Sequence, residues 1–141
     1  MRRAAVALVA IAAFAGCSED EEPDGIHSPE GVMIRDWLMA VAHYDFSHAA
    51  EFFAPGAIID QGHPFRLPDA AAARKFNAGL PCHAKLIALE DEDGSKVLAT
   101  FRLTPGPGGA CKGRVQVRYT IRDGRFTEWR QLREGGRGPA V

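Results

Sequence analysis

Residues 114–132 read RVQVRYTIRDGRFTEWRQL, and they are the part of the sequence that indicates the fold most clearly. Apolar and polar side chains alternate through it, and the Asp123-Gly124 pair interrupts the alternation near its middle. An Asp-Gly pair between two alternating runs is typical of a β-hairpin with a two-residue turn. Strands are therefore predicted over 114–121 and 125–132. The first of them carries Arg114, Gln116 and Arg118 on one face and apolar residues on the other, so one face of the sheet should be buried.

Two further strands with the same period precede this hairpin, over 84–90 and 96–103. Asp93 and Gly94 mark the turn between them, and a Pro- and Gly-rich loop over 105–109 leads into the hairpin. The C-terminal half of the chain is therefore predicted to be a four-stranded antiparallel sheet.

Three helices are predicted upstream of these strands. Ser28 can cap the first helix, with Pro29 at its first position and apolar residues then recurring at three- and four-residue spacing. The helices run from Pro29, from the capping residue Asp45 through Ala54, and from about Pro68 to Ala78, with short β runs over 57–61 and 65–67 before the last. Helices followed by strands with one buried face predict an α+β domain, in which a curved antiparallel sheet is covered by three N-terminal helices.

The first 16 residues have the features of an export signal. Two arginines precede an uncharged apolar run of 11 residues, which is too short for the roughly 20 that a membrane span needs. The stretch from Phe14 to Cys17 resembles the lipobox of bacterial lipoproteins, and this resemblance implies that Cys17 is acylated. The alternative is an ordinary secretory signal that is cleaved nearby. Ser18, rather than Asp, follows the cysteine, so we expect a lipid-anchored protein on the periplasmic face of the outer membrane.

Removal of the signal over 1–16 leaves 125 of the 141 residues, enough for one hydrophobic core. Residues 17–27 are rich in Asp and Glu and are interpreted as a solvated tether. The folded domain is predicted over 28–133, and a flexible tail over 134–141.

The charge distribution bears on the class of partner. The formal net charge is −1, but residues 96–137 carry ten Lys or Arg against three Asp or Glu. A nucleic-acid partner is one interpretation of such a basic region. These charges alternate with apolar residues, as on the solvated face of a strand, and an exported protein meets little nucleic acid. No nucleic-acid partner is therefore expected.

Cys82 and Cys111 are the two cysteines that follow Cys17. A cysteine pair in an exported protein is usually a disulfide. The predicted turns place both sulfurs at the same end of the sheet, one strand apart, so the flanking loops must bend over the intervening strand. A zinc site is disfavoured because only His83 lies beside either cysteine, and no metal or cofactor is expected.

Three features together resemble the nuclear transport factor 2-like superfamily, and SnoaL-like domains within it. They are the helix with Trp37, the segment from Asp45 to Asp60 with its Ala-Pro-Gly-Ala entry into a strand, and the ending RDGRFTEW at 122–129. The resemblance covers residues 29–133 and implies a cone-shaped fold, with a pocket between the concave face of the sheet and the helices. It implies little about activity, because the superfamily contains isomerases, cyclases, epoxide hydrolases and non-catalytic subunits.

The superfamily's ketosteroid isomerase pattern can be compared with this chain position by position. Trp37 falls where that pattern has an oxyanion-binding tyrosine, and Gln61 falls where it has the general base. The second acidic donor falls near Gln116 or Val117. Trp and Gln cannot perform these proton transfers, so the resemblance disfavours isomerase chemistry unless a one-residue shift brings Asp60 to the base position.

Asp60 is nevertheless the best single candidate for catalysis. His63 follows three residues later across a turn, and a carboxylate that orients an imidazole can create a general base. The alternative is that Asp60 caps the turn at Gly62 and that His63 is solvated.

The predicted pocket is mainly apolar. Its expected ligand-binding residues are Trp37, Phe76 and Tyr119 in the wall, with Asp60, His63 and Arg102 near the mouth. Each aromatic residue is also explained as an ordinary part of the core.

Three functions remain open at this point. The first is a lipid-anchored module that binds a small apolar or amphipathic molecule without chemistry. The second is an assembly domain that acts as a homodimer. The third is a SnoaL-like isomerase, cyclase or hydrolase that uses Asp60 and His63. The missing catalytic pattern favours the first two.

Overall fold

The computed structural model describes residues 25–132; the predicted signal, Cys17, most of the tether and the predicted tail lie outside them. The elements are α1 (Pro29–Ala42), α2 (Phe46–Glu51), β1 (Phe53–Asp60), β2 (Pro64–Leu67), α3 (Ala70–Ala78), β3 (His83–Asp91), β4 (Lys96–Thr104), β5 (Arg114–Arg122) and β6 (Arg125–Leu132). The helices cover one face of a curved, unclosed six-stranded sheet, so the α+β prediction is confirmed.

The sheet has the strand order β2-β1-β6-β5-β4-β3. Strands β3 to β6 form the antiparallel meander that the alternating pattern predicts. The pairing of β1 with β6 is parallel, with Ile59 opposite Trp129, so the sheet is mixed rather than antiparallel throughout. The long path through α3 and β3 to β5 returns the chain beside β1 in the same direction, which permits this parallel pair.

Each helix begins where a capping side chain precedes it. Ser28 Oγ accepts from Gly31 N at 3.1 Å, Asp45 Oδ1 from His48 N at 3.1 Å, and Asp69 Oδ1 from Ala72 N at 2.9 Å. Because Asp69 is the cap, α3 begins two residues later than the sequence predicts.

Helix α2 is shorter than predicted, since it ends at Glu51 rather than at Ala54. Phe53 already belongs to β1 and pairs with Phe126 of β6, whose backbone N–H donates to the Phe52 carbonyl at 2.7 Å. Strand pairing therefore overrides the helical pattern at these residues.

The core lies between α1 and the concave face of the sheet, called here the inner face. The Trp37 ring makes edge contacts with Phe53, Tyr119 and Phe126 at centroid distances of 6.0, 6.3 and 6.0 Å. Tyr119 and Phe126 are fully buried. Edge-to-face contacts of this kind stabilise an aromatic cluster beyond its buried area.

The domain begins earlier than residue 28. Ile26 is buried in the core, and Gly25 packs so closely that a Cβ there would lie 2.8 Å from the Leu89 carbonyl oxygen. Residues 25–27, assigned to the tether from the sequence, therefore belong to the folded unit. They lie beside the C-terminal half of β3.

Cys82 and Cys111 form a disulfide with a Cα–Cα distance of 5.7 Å, as the sequence predicts. The loop after β4 folds back over the start of β3, where the Gly108 N–H donates to the Pro81 carbonyl at 2.8 Å. This fold-back brings Cys111 across the intervening strand. A sequence separation of 29 residues gives the disulfide a stabilising effect of about 3–4 kcal/mol through loop closure.

Candidate functional site

A narrow cavity of about 50 Å³ lies between α1 and the inner face of the sheet, at the end where the disulfide lies. Its wall is formed by Trp37, Leu38, Val41, Gln61, Leu80, Cys82, His83, Ala84, Phe101, Leu103, Val115, Val117, Trp129 and Gln131. The wall contains two amides and one imidazole, and no carboxylate from residues 25–132 contributes to it. Its chemistry is that of an apolar binding site with a few polar groups.

Trp37 is held in this wall by a buried hydrogen bond. Its indole Nε1 donates to Asn77 Oδ1 at 2.8 Å, and Asn77 Nδ2 donates to the Ala73 carbonyl at 2.8 Å. Asn77 is only 1% exposed, so this pair ties α1 to α3 without help from water. The indole N–H is therefore already engaged and does not point to a ligand.

Trp129 forms the wall opposite α1. Its Nε1 donates to the hydroxyl of Tyr119, its cross-strand partner on β5, at 3.1 Å. Tyr119 is fully buried and does not contribute to the cavity wall. Burial raises the pKa of the Tyr119 phenol above its ordinary value, so the hydroxyl stays neutral. Tyr119 was predicted to line the pocket, but it belongs to the core.

The cavity wall contains Trp37 and Gln61, which fall at two of the positions that correspond to catalytic groups of the ketosteroid isomerase pattern. Of Gln116 and Val117, the two residues near which the third position falls, only Val117 lines the cavity. None of these side chains can donate or remove a proton in the required way.

Gln131 has a feature that the other polar groups of the wall do not share. It follows Trp129 on the inner face of β6, opposite Val117, and its Oε1 atom is buried. Within the described part of the chain, this oxygen accepts no hydrogen bond. A buried polar atom without a partner is uncommon in folded proteins.

A larger and more open groove of about 540 Å³ adjoins the cavity, between β2 and α3. Gln61 and Leu80 line both spaces, so they separate the cavity from the groove. Phe76 lines the groove and contacts Trp129 at a centroid distance of 5.6 Å. Phe76 was predicted to lie in the pocket wall, and it lines this adjoining groove instead.

The rim of the cavity contains an aromatic contact that the sequence does not indicate. Tyr44, between α1 and α2, has a left-handed backbone with a φ of 58° and is 60% exposed. Its ring lies 5.9 Å from that of His83, which lines the cavity. Tyr44 and His83 thus flank the rim beside the Cys82–Cys111 disulfide.

Asp60 does not contribute to the cavity. Its Oδ1 accepts from Gly62 N at 2.9 Å and its Oδ2 accepts from Arg130 Nη1 at 3.1 Å, on the convex face of the sheet, called here the outer face. The expectation that Asp60 points into the pocket is therefore wrong, and its turn-capping alternative is correct. The carboxylate faces outward because it pairs with Arg130, one residue beyond the inner-face Trp129.

The other two residues predicted near the mouth are also elsewhere. His63 is exposed in the turn between β1 and β2 and does not contribute to the cavity wall. Arg102 lies on the outer face of β4, opposite Lys85 and Arg114. The structure therefore does not bring Asp60, His63 and Arg102 together at the cavity.

Metal sites and membrane-spanning helices are two further features that could indicate a function. Across residues 25–132, no group of three or more His, Cys, Asp or Glu side chains is arranged to hold a metal ion. The same range contains no helix whose length and apolar character would suffice to cross a membrane.

The sequence alone missed Gln131, His83 and Leu103 as wall residues. The register of the meander provides a signal for two of them, because Gln131 pairs with Val117 and Leu103 continues the inner-face series of β4. His83 enters the wall because the disulfide fixes the start of β3, and no local pattern indicates that.

The family model of the SnoaL-like domain matches residues 34–129. No curated protein matches the sequence. Among solved structures, a candidate polyketide cyclase from Sinorhizobium meliloti is 20% identical, with a TM-score of 0.59, over 72% of this chain and 94% of that one. An NTF2-like protein of unknown function from Cytophaga hutchinsonii has a TM-score of 0.60 at 8% identity, over 74% and 88%.

A candidate ketosteroid isomerase from Kribbella flavida has a TM-score of 0.56 at 16% identity, over 77% of this chain and 80% of that one. Identities this low establish a shared fold and leave the activity of each neighbour as a statement about that neighbour.

Proposed function

The chain belongs to the SnoaL-like domain family, and we propose that it is a non-catalytic module that binds a small, mainly apolar molecule in its cavity. The family fold is compatible with ligand binding and with isomerase or cyclase chemistry, so the side chains of the site must decide. The observation that carries the proposal is the composition of the wall: aromatic and aliphatic side chains, two amides and one imidazole, without a carboxylate from the described residues.

The size of the cavity restricts the shape of the ligand. A volume of about 50 Å³ holds roughly three to five waters and is smaller than the 300–1,000 Å³ of common ligand sites. The adjoining groove of about 540 Å³ brings the combined site into that range. We therefore propose an elongated ligand whose narrow end enters the cavity past Gln61 and Leu80, while its body lies in the groove.

The positions of the polar groups argue against catalysis in this cavity. The Trp37 N–H is engaged by Asn77, and the Tyr119 hydroxyl accepts from Trp129 and does not contribute to the wall. The enzyme alternative relied on Asp60 and His63, and Asp60 is paired with Arg130 on the outer face. General-base catalysis needs the base within hydrogen-bond reach of the bound molecule, and the one such group in the wall is the His83 imidazole. It lies at the rim against the Tyr44 ring, and no carboxylate from residues 25–132 bonds to it to orient it as a base.

Binding can be tested with 1-octanol as the probe and intrinsic fluorescence as the readout. The chain has two tryptophans, and both line the cavity, so their emission reports directly on its occupancy. Titration of the wild-type domain should give a saturable change. Ala84→Leu, which fills the cavity, should weaken binding at least ten-fold.

Ala88→Leu is the matched control, because Ala88 lies on the same strand but pairs with Thr100 on the outer face. It should leave the affinity for 1-octanol unchanged, and Asp60→Asn should change it by no more than a few-fold. Urea unfolding of each variant establishes that it is folded. Failure of the wild type to respond, or equal weakening by both leucine variants, would contradict the proposal.

We further propose that the domain is exported and held by acyl chains on Cys17, as the export signal and lipobox indicate. Two or three acyl chains anchor a protein stably, whereas one binds only marginally. Mass spectrometry of the mature N-terminus should show a diacylated or triacylated Cys17, and an unmodified N-terminus beyond that residue would contradict the proposal. The homodimer stays a prediction.

A further inference from the structure

Gln131 is one of the few polar residues in the wall of the cavity. Its backbone pairs with Val117, which also lines the cavity, and its side chain forms part of the same wall as Trp129. Its Oε1 is buried and accepts no hydrogen bond from residues 25–132. The surrounding wall is mainly apolar and includes Phe101, Leu103 and Val115.

An amide oxygen in such surroundings has lost its hydrogen bonds to water without gaining others, which is energetically unfavourable. The reversed amide orientation would direct an NH₂ group with two unpaired hydrogens into the same apolar space, which costs more. The orientation with Oε1 inward is therefore the better one. It leaves a single buried acceptor in the cavity wall without a hydrogen bond from residues 25–132.

We infer that Gln131 selects ligands whose buried end carries a neutral hydrogen-bond donor, a hydroxyl or an N–H group. This inference rests on the proposed function, since it assumes that the cavity receives the end of a ligand. A donor at that end would complete the bond that Oε1 lacks. A ligand ending in a carboxylate would bring a second acceptor and a charge against Oε1, so the site disfavours it.

Gln61 does not share this role. It lines both the cavity and the groove, and it has an interaction of its own. Gln131 is therefore the polar group that distinguishes one ligand end from another, whereas Gln61 lies beside the path by which the ligand enters.

The test compares two probes that differ in one property. 1-Octanol and 1-fluorooctane have nearly the same size and chain, but only the alcohol can donate a hydrogen bond. Both are titrated into the wild-type domain, with tryptophan fluorescence as the readout. Since sites built around a hydrogen bond strongly reject analogues that lack it, the wild type should bind 1-octanol at least ten-fold more tightly.

Gln131→Met keeps the length of the side chain and removes the acceptor. This variant should no longer prefer the alcohol, because the buried hydroxyl would lack an acceptor, and it should bind 1-fluorooctane at least as tightly as the wild type does. Gln116→Met is the matched control on the neighbouring strand, because Gln116 lies on the outer face and bonds to Thr100. It should retain the wild-type preference for the alcohol.

The outcomes separate this inference from the proposed function. Equal binding of both probes by the wild type would overturn the role of Gln131 and leave the binding function intact. A preference for the alcohol that survives in Gln131→Met would do the same. Failure of the wild type to bind either probe would overturn the proposed function itself, and the role of Gln131 with it.

Discussion

The two faces of β6 differ in how their polar groups are satisfied. On the outer face, Arg130 bonds to both Glu128 and Asp60, at 2.9 and 3.1 Å. On the inner face, Trp129 bonds to a buried hydroxyl, while Gln131 leaves one oxygen without a partner. Glu128 and Arg130 on the outer face are thus paired, whereas the inner face retains one buried oxygen without a hydrogen bond from residues 25–132. Paired charges therefore lie on the solvated face of β6, whereas the buried oxygen without a partner belongs to the wall of the candidate site.

The consecutive residues Asp60 and Gln61 show the same difference between the outer and inner faces. Asp60 is engaged in an ion pair on the outer face, while Gln61 contributes to the cavity wall. A carboxylate attracts attention as a catalytic group, but here it stabilises the strand end and the following turn. The less reactive neighbour occupies the site, which is consistent with binding rather than chemistry.

The largest expected effect compares a buried polar contact with an exposed one. Asn77→Ala removes the inner bond to Trp37 and leaves the indole N–H buried without an acceptor, so the free energy of unfolding should fall by about 2–3 kcal/mol. Asp60→Asn weakens an ion pair whose side chains are 35% and 27% exposed, and it should cost less than about 1 kcal/mol. Urea unfolding monitored by circular dichroism measures both.

The opposite order of these two destabilisations would contradict the expected difference between the faces. If Asp60→Asn were the more costly substitution, the outer ion pair would be the stronger support of the fold, and the division between the faces would be wrong. Asn77→Ala should also weaken 1-octanol binding, because Trp37 would no longer be fixed in the wall. Asp60→Asn should not.

The sequence predicts the meander and its buried face because those strands are neighbours along the chain. Alternation in 114–132 and one Asp-Gly turn determine which residues share a face, and the observed register agrees. The disulfide follows from the same arithmetic. These features depend on local pattern and short connections, which a single sequence contains.

The face of Asp60 could not be predicted in this way. It depends on the parallel pairing of β1 with β6, roughly 70 residues later in the chain, and that pairing shifts register between Phe53 and Ile58. A shift of one residue exchanges the two faces of a strand, so local alternation gives no reliable answer. Contact between distant strands decides it.

Alternation along a strand also does not predict how deeply a side chain lies in the core. Tyr119 and Val117 share the inner face of β5, yet only Val117 reaches the cavity. Tyr119 is covered by the rings of Trp37 and Phe126, which the helix and β6 bring together. The pattern thus predicts which side chains face inward, whereas the packing of the helices determines which of them line the cavity.

The smallest expected effect concerns the pH dependence of the outer face. The Arg130 guanidinium, bonded to Glu128, holds the pKa of that carboxyl below its ordinary value. Because the folded pKa is the lower one, the unfolded chain binds more protons as the pH falls, and the contribution of Glu128 is lost in an acidic window that begins near the ordinary glutamate pKa of about 4.3. The side chains are 35% and 29% exposed, so this contribution should be below about 1 kcal/mol. The difference in free energy of unfolding between Glu128→Gln and the wild type should therefore become smaller as the pH falls through this window, in urea unfolding at fixed salt.

Glu90→Gln is the control on the outer face of β3. Its difference from the wild type should stay nearly constant, because Glu90 is exposed and forms no ion pair with residues 25–132. A difference for Glu128→Gln that stays constant with pH would mean that the Glu128–Arg130 ion pair makes no contribution to folding, and the support that the outer face gives to β6 would then rest on the pair of Arg130 with Asp60.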